Sequence, residues 1–257
     1  AYWPHASTNS GADALKRLGS ALVVARAGDG GSAGALLGIV AECGAERLLY
    51  NAAYAPWEMA IEEEVESSFS SFGLGVERFP GNVLYEPSVA RPDERSHHHG
   101  FGSVGFFLAA VAHLDRPLPL GHPARLRPPC RWPSSLRLGE LGLARALIRK
   151  DGTKVDWAGA LRCEWCVGEE GARAALQRFV DETMRGYDGR ERHRADQRRT
   201  SELSPHLRFG EVSSREILNV VLRATGERAS PTFLRKFAWR DLAYWSLWRF
   251  PNLADVS

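Results

Sequence analysis

Phe233, Lys236, Trp239, Arg240 and Ala243 recur at three- and four-residue steps. On a helix, one side would then carry a large aromatic and two cations. Such a side suits a planar, electron-rich or anionic ligand, because the indole can stack on it and the cations can neutralise it. The same spacing also fits a core helix whose Lys and Arg stems lie along apolar surface with their charges in water, and spacing does not choose between the two. A second cluster lies upstream. Thr200, Ser201 and Ser204 put three hydroxyls within five residues at an expected helix start, where free backbone N–H groups already favour phosphate. Ordinary helix capping beside a solvated charge run (Arg190, Arg192, Arg194, Arg198, Arg199) is the competing reading.

The element that would position the first cluster is written at both of its ends. Ser230 suits an N-cap, Pro231 the first helical position, and Phe250 meets Pro251, so a helix is expected between them. Its wide apolar face is Phe233, Leu234, Phe237, Ala238, Leu242, Trp245 and Trp248. Two more helices are expected in this half, Ala172 to Met184 and Ser213 to Ala224, the second opened by a capping box of Ser213 with Glu216.

The first half alternates. A helix is expected before Gly19, a strand ending the run Arg17 to Arg26, a helix from Ala33 to Cys43, a strand at Arg47 to Asn51, a helix from Trp57 to Phe72 and a strand at Gly75 to Phe79. Strand and helix in alternation imply a parallel sheet with helices on its faces. The expected fold is therefore α/β, a parallel Rossmann-like sheet that is incomplete, followed by a linker and an all-α fragment. The boundaries expected are 1–93 for the α/β part, 94–165 for a linker that is proline-rich from Arg116 to Pro133, and 166–257 for the helical part.

Composition narrows the class. The chain has 257 residues, is 44% hydrophobic and 25% charged, and carries a formal charge of +2, so any anion site must be local rather than a global basic field. The apolar run Val104 to Leu114 is too short to span a bilayer, and no membrane span is expected. Four cysteines, at 43, 130, 163 and 166, are too few for a secreted disulfide framework. An intracellular reducing compartment is expected, the nucleus or an organelle such as the chloroplast included. The chain opens at Ala1 with neither a start methionine nor a charged-then-apolar leader, which leaves the address itself unreadable. The Cys163-x-x-Cys166 pair lacks a second pair at metal spacing, and His97, His98 and His99 read as a solvated loop, so no metal site is expected.

Several stretches carry a family resemblance: LGSALVV (Leu18 to Val24), LLYNAAYAPWE (Leu48 to Glu58), WPSSLRLGELGL (Trp132 to Leu143), TSELSPHLRFGEVSSREI (Thr200 to Ile217) and FLRKFAWRDLAYWSLWRFP (Phe233 to Pro251). Together they resemble the photolyase and cryptochrome flavoproteins. The resemblance implies FAD held in a helical domain, an antenna chromophore such as a folate or deazaflavin of unsettled identity, and blue-light chemistry used for DNA photorepair or photoreception. It implies that Thr200, Ser201, Leu203 and Ser204 form a flavin phosphate loop with Tyr187 beside it. It also implies that Phe233, Lys236, Trp239 and Arg240 line the flavin and substrate cavity, with Trp239 and Arg240 in the catalytic positions, and that Glu58 stands where some members touch a folate.

Departures from the pattern matter too. Lys236 occupies a position where repair enzymes carry glutamate, and the family's opening strand and downstream half have no counterpart in these 257 residues. Damaged DNA is the implied partner of a repair enzyme. A protein partner covering exposed apolar helix faces, around Trp245 and Trp248 for example, is the expectation for the alternative, a catalytically degenerate chain serving as a structural or interaction subunit.

Overall fold

A computed structural model describes residues 2–92, 100–143, 147–194, 196–226 and 229–254. The His97 to His99 triplet lies outside them. Nine α-helices and four strands are found among the described residues. The chain divides into two interleaved compact units, one of residues 1–45, 120–178 and 201–212, the other of 46–119, 179–200 and 213–257.

The first unit holds α1 (Tyr2–Arg17), α2 (Gly31–Cys43), α5 (Gly159–Glu164), α6 (Glu169–Arg178) and α7 (Ser204–Arg208). The strand expected before Arg26 does not form. Its backbone partners are isolated: Val24 N–H donates to the Ser135 hydroxyl at 2.9 Å, while Leu136 N–H donates to the Val24 carbonyl at 2.9 Å and Leu126 N–H to Leu18 at 2.7 Å. A side-chain oxygen stands where a ladder carbonyl would be, so the segment is extended without a continuous ladder.

The proline-rich connection, by contrast, contains a small hairpin, in which β3 (Leu147–Ile148) pairs antiparallel with β4 (Lys154–Val155). Its turn places Gly152 at φ +83°, a conformation that glycine adopts without strain, and the Asp151 carboxylate accepts from the Thr153 N–H at 2.9 Å.

In the second unit, β1 (Arg47–Asn51) and β2 (Gly75–Phe79) pair in parallel, Arg47 opposite Gly75, joined through α3 (Pro56–Ser71). This is the parallel sheet that the alternation required, reduced to two strands. The helix expected to follow Ala172 is α6 to Arg178, continued by a π turn over Phe179–Thr183 and a 3-10 turn over Met184–Gly186. Ser213 caps α8 (Ser214–Thr225), its hydroxyl accepting from the Glu216 N–H at 3.0 Å.

Helix α9 (Pro231–Arg249) starts and stops where its signals stand: the Ser230 hydroxyl accepts from the Phe233 N–H at 3.1 Å, and Phe250 follows the last residue. Its buried face joins α4 (Val104–Val111) in a core of Phe101, Val104, Phe107, Val111, Ala238, Leu242 and Trp245. The expectation that Trp245 and Trp248 are left bare is therefore corrected. Trp245 is 3% exposed, stacks edge-on to Phe101 at 4.6 Å and donates to the Ala90 carbonyl at 2.9 Å. Trp248 packs against a second small cluster of Ala52, Tyr54 and Val83. The cover comes from α4 and the 81–90 segment of the chain itself. Among the described residues no helix is long and apolar enough to cross a membrane.

Trp245 combines large apolar burial with a buried N–H donor. Trp245→Ala is expected to destabilise the chain by about 3–5 kcal/mol in urea titration. Trp245→Phe should cost clearly less, since it keeps most of the ring and loses one hydrogen bond of about 1 kcal/mol. Equal losses for the two variants would contradict this packing account.

Candidate functional site

The aromatic and cationic side of α9 is built from its first turn. Asp188 accepts from the Ser230 hydroxyl at 2.8 Å and from the Thr232 N–H at 3.0 Å, so the turn carrying Tyr187 is tied to the helix N-terminus, where a carboxylate is favoured. Hydrogen bonding, from Thr232 first, holds the Asp188 carboxyl below the usual range. Tyr187 is thereby laid beside Phe179 and Phe233, with ring centroids 5.4 and 5.7 Å away, and burial pushes its hydroxyl up. The Lys236 ammonium sits 5.7 Å from the centroid of the same ring, a cation–π distance. Phe233, Tyr187 and Lys236, separated by up to 49 positions in the chain, are brought into one cluster.

Trp239 and Arg240 diverge. Trp239 is 51% exposed on the outer side of α9. Arg240 turns the other way: its Nη1 donates to the Asn82 carbonyl at 2.7 Å and to the Ser214 hydroxyl at 3.0 Å, and its guanidinium lies 5.1 Å from the Tyr244 ring centre. One of the two cations expected to face a ligand is thus engaged with backbone. The other, Lys236, remains exposed at the surface.

The hydroxyl cluster is assembled differently. Leu203 is buried and stands at the N-cap of α7, where its apolar side chain makes no capping bond. Glu202, just before it, adopts φ +53°, an uncommon backbone for a non-glycine residue, and its carboxylate pairs with Arg178 at 2.6 Å. Thr200 and Ser204 are exposed and Ser201 is half-buried. The arginine run is not a free anion patch: Arg192 Nη1 donates to the carbonyls of Tyr187, Asp188 and Gly189 at 2.8–3.1 Å, and Arg194 pairs with Asp196 at 2.6 Å. Glu58 lies in the first turn of α3, half-buried. All four cysteines are free, and no group of three or more metal-ligating side chains occurs among the described residues.

Two acids went unread in the sequence. Asp188 follows a tyrosine that was singled out, and only the fold places it at the start of a helix 42 positions away. Asp241 follows Arg240 and is buried, on a face that spacing had assigned to apolar residues. A charged residue inside the apolar stripe was the available signal for it.

The family model for DNA photolyase matches residues 1–119. A deoxyribodipyrimidine photo-lyase of Agrobacterium fabrum is 30% identical over 99% of this chain, which covers 51% of that protein. Cryptochrome-1 of Arabidopsis thaliana is 26% identical over 92% of the chain and 34% of its own length. Among solved structures, a bacterial class III photolyase from Agrobacterium tumefaciens superimposes with a TM-score of 0.84 at 28% identity, over 99% of this chain and 51% of that one. The chain thus spans about half the length of the first of these relatives. On the matched motifs, the fold and these relatives together, the chain belongs to the photolyase/cryptochrome family.

Proposed function

We propose that this chain serves in a blue-light flavoprotein of photolyase/cryptochrome type, in which FAD is bound and damaged DNA is the substrate. The observation that carries the reading is the 200–204 stretch, whose Thr200 and Ser204 are exposed beside the start of α7. Their chemistry suits the charged pyrophosphate of a dinucleotide, since hydroxyl donors to an anion make strong hydrogen bonds. FAD, when bound, supplies light absorption and electron transfer.

In this reading Thr200, Ser201 and Ser204 donate to phosphate, and buried Leu203 anchors their backbone. Tyr187, Phe233 and Lys236 form an aromatic floor with one cation for the cofactor, while the exposed indole of Trp239 offers a stacking surface for a base that has left its duplex. Arg240 acts by holding the segment beside it. Glu58, at the start of α3, is the antenna contact of this reading, and the α/β and helical parts meet their linker near residues 93 and 166.

A second reading, a chain kept as an interaction subunit, is favoured by Lys236, a cation over Tyr187 where repair enzymes of the family carry an acid. An exposed stripe on α4, with Phe106 and Leu108 outward, would be the surface offered to its protein partner.

The purified protein carrying this chain is expected to show flavin absorption and to release FAD on denaturation. A colourless protein would exclude the first reading. Thr200→Ala with Ser204→Ala should lower flavin affinity by about 1.5–3 kcal/mol for each lost bond to phosphate, read as FAD retained after dialysis; unchanged retention removes these hydroxyls from the site. Trp239→Ala should weaken binding to DNA containing a pyrimidine dimer by about 1–3 kcal/mol of stacking while leaving undamaged duplex binding as it was. Loss of both together would assign Trp239 to general DNA affinity instead.

A further inference from the structure

The segment Gly81 to Tyr85, which leaves β2, is held down by polar side chains. Gly81 N–H donates to the Tyr54 hydroxyl at 2.9 Å, and a Cβ at Gly81 would collide with the Ala52 carbonyl and meet the Tyr54 ring at 3.0 Å. Arg240 and Ser214 both donate to the Asn82 carbonyl, at 2.7 Å each, and Asn82 donates to the Tyr244 hydroxyl at 3.1 Å. Asp241 completes the set: its Oδ2 accepts from Leu84 N–H at 2.8 Å and Tyr85 N–H at 3.3 Å.

The carboxylate is left half satisfied. Asp241 is 3% exposed, and its Oδ1 is buried with no hydrogen-bond partner among the described residues. Arg240 Nη1 stands 3.5 Å from that oxygen while donating to Asn82 and Ser214. Glu86, just after the strap, also acts on it, and its carboxylate accepts a hydrogen bond from the Tyr54 hydroxyl. Tyr85 feels the charges of both Arg116 and Asp241, and α4, which packs on the same helix, carries no titratable side chain.

We propose that Arg240 and Asp241 form a latch on the 81–85 strap, and that Asp241 is a positioning residue whose charge state sets how firmly the strap is held against α9. The inference stands on this unit alone and does not depend on flavin binding. Burial raises the Asp241 carboxyl from its ordinary 3.8 to about 6, against the opposing pull of the Leu84 and Tyr85 N–H groups and of Arg240. A carboxyl that binds its proton more tightly in the latched state than in the open one favours the latch when protonated. The extra stability is therefore complete below the ordinary value, and is lost as pH rises through about 6. The neutral acid keeps an oxygen for the two N–H donors and removes the uncompensated buried charge.

Amide hydrogen exchange of Leu84 and Tyr85, corrected for intrinsic rates and compared with β1 and β2 amides, tests this in the full chain. Between about pH 7.5 and pH 4.5, protection of the two amides should rise by up to about thirtyfold. Asp241→Asn, a neutral isostere, should show the high protection throughout with no pH dependence, and Asp241→Ala low protection throughout. A flat wild-type profile, or an Asp241→Asn profile that still titrates, would overturn the proposal. The isostere keeps the test usable if the alanine variant does not fold.

Discussion

The second unit depends on how one helix satisfies backbone that it buries. Where α9 packs on α4, the strap after β2 and the turn at Ala90 are pressed against it and lose water, and each buried N–H or carbonyl must find a partner. Helix α9 supplies these from two successive turns: Arg240 to the Asn82 carbonyl, Asp241 to the Leu84 and Tyr85 N–H groups, and Trp245 to the Ala90 carbonyl. Apolar packing alone would leave those groups unpaired, at a cost of about 1–3 kcal/mol each.

The same economy limits what α9 can offer a ligand. With Arg240 and Asp241 facing the strap and Phe237, Ala238 and Leu242 in the core, the outer surface keeps Lys236, Trp239 and Ala243. Arg240, which the resemblance would place at a cavity, is engaged with backbone in this chain. The first unit places its own polar pair inside as well. His206 Nδ1 and Glu211 are 2.5 Å apart in the interior, and the Trp3 indole N–H donates to the other Glu211 oxygen at 3.1 Å. A buried carboxylate with two partners of this kind is satisfied where Asp241 is not.

Much of α9 was legible before any coordinates, though not what its side chains face. Ser230 and Pro231 announced the start of α9, Phe250-Pro251 its end, and the 3.6-residue period picked out Phe233, Phe237, Ala238, Leu242 and Trp245, all buried. The parallel pairing of β1 with β2 followed from strand and helix in alternation. The hairpin at 147–155 was missed although Asp151-Gly152 is a turn signal, because its strands are two residues long and show no period.

Local chemistry therefore settled from sequence alone the helix caps, the apolar helical stripes and the family to which the motifs belong. Tertiary structure decided what each side chain faces. The spacing that grouped Arg240 with Lys236 and Trp239 is a property of the helix, whereas the Asn82 carbonyl that claims Arg240 lies 158 positions away and enters only when the strap folds over α9. The same holds for the 18–26 run: its β-branched residues favour extension, but whether an extended segment becomes a strand depends on a neighbour with free carbonyls, and a serine hydroxyl met it instead.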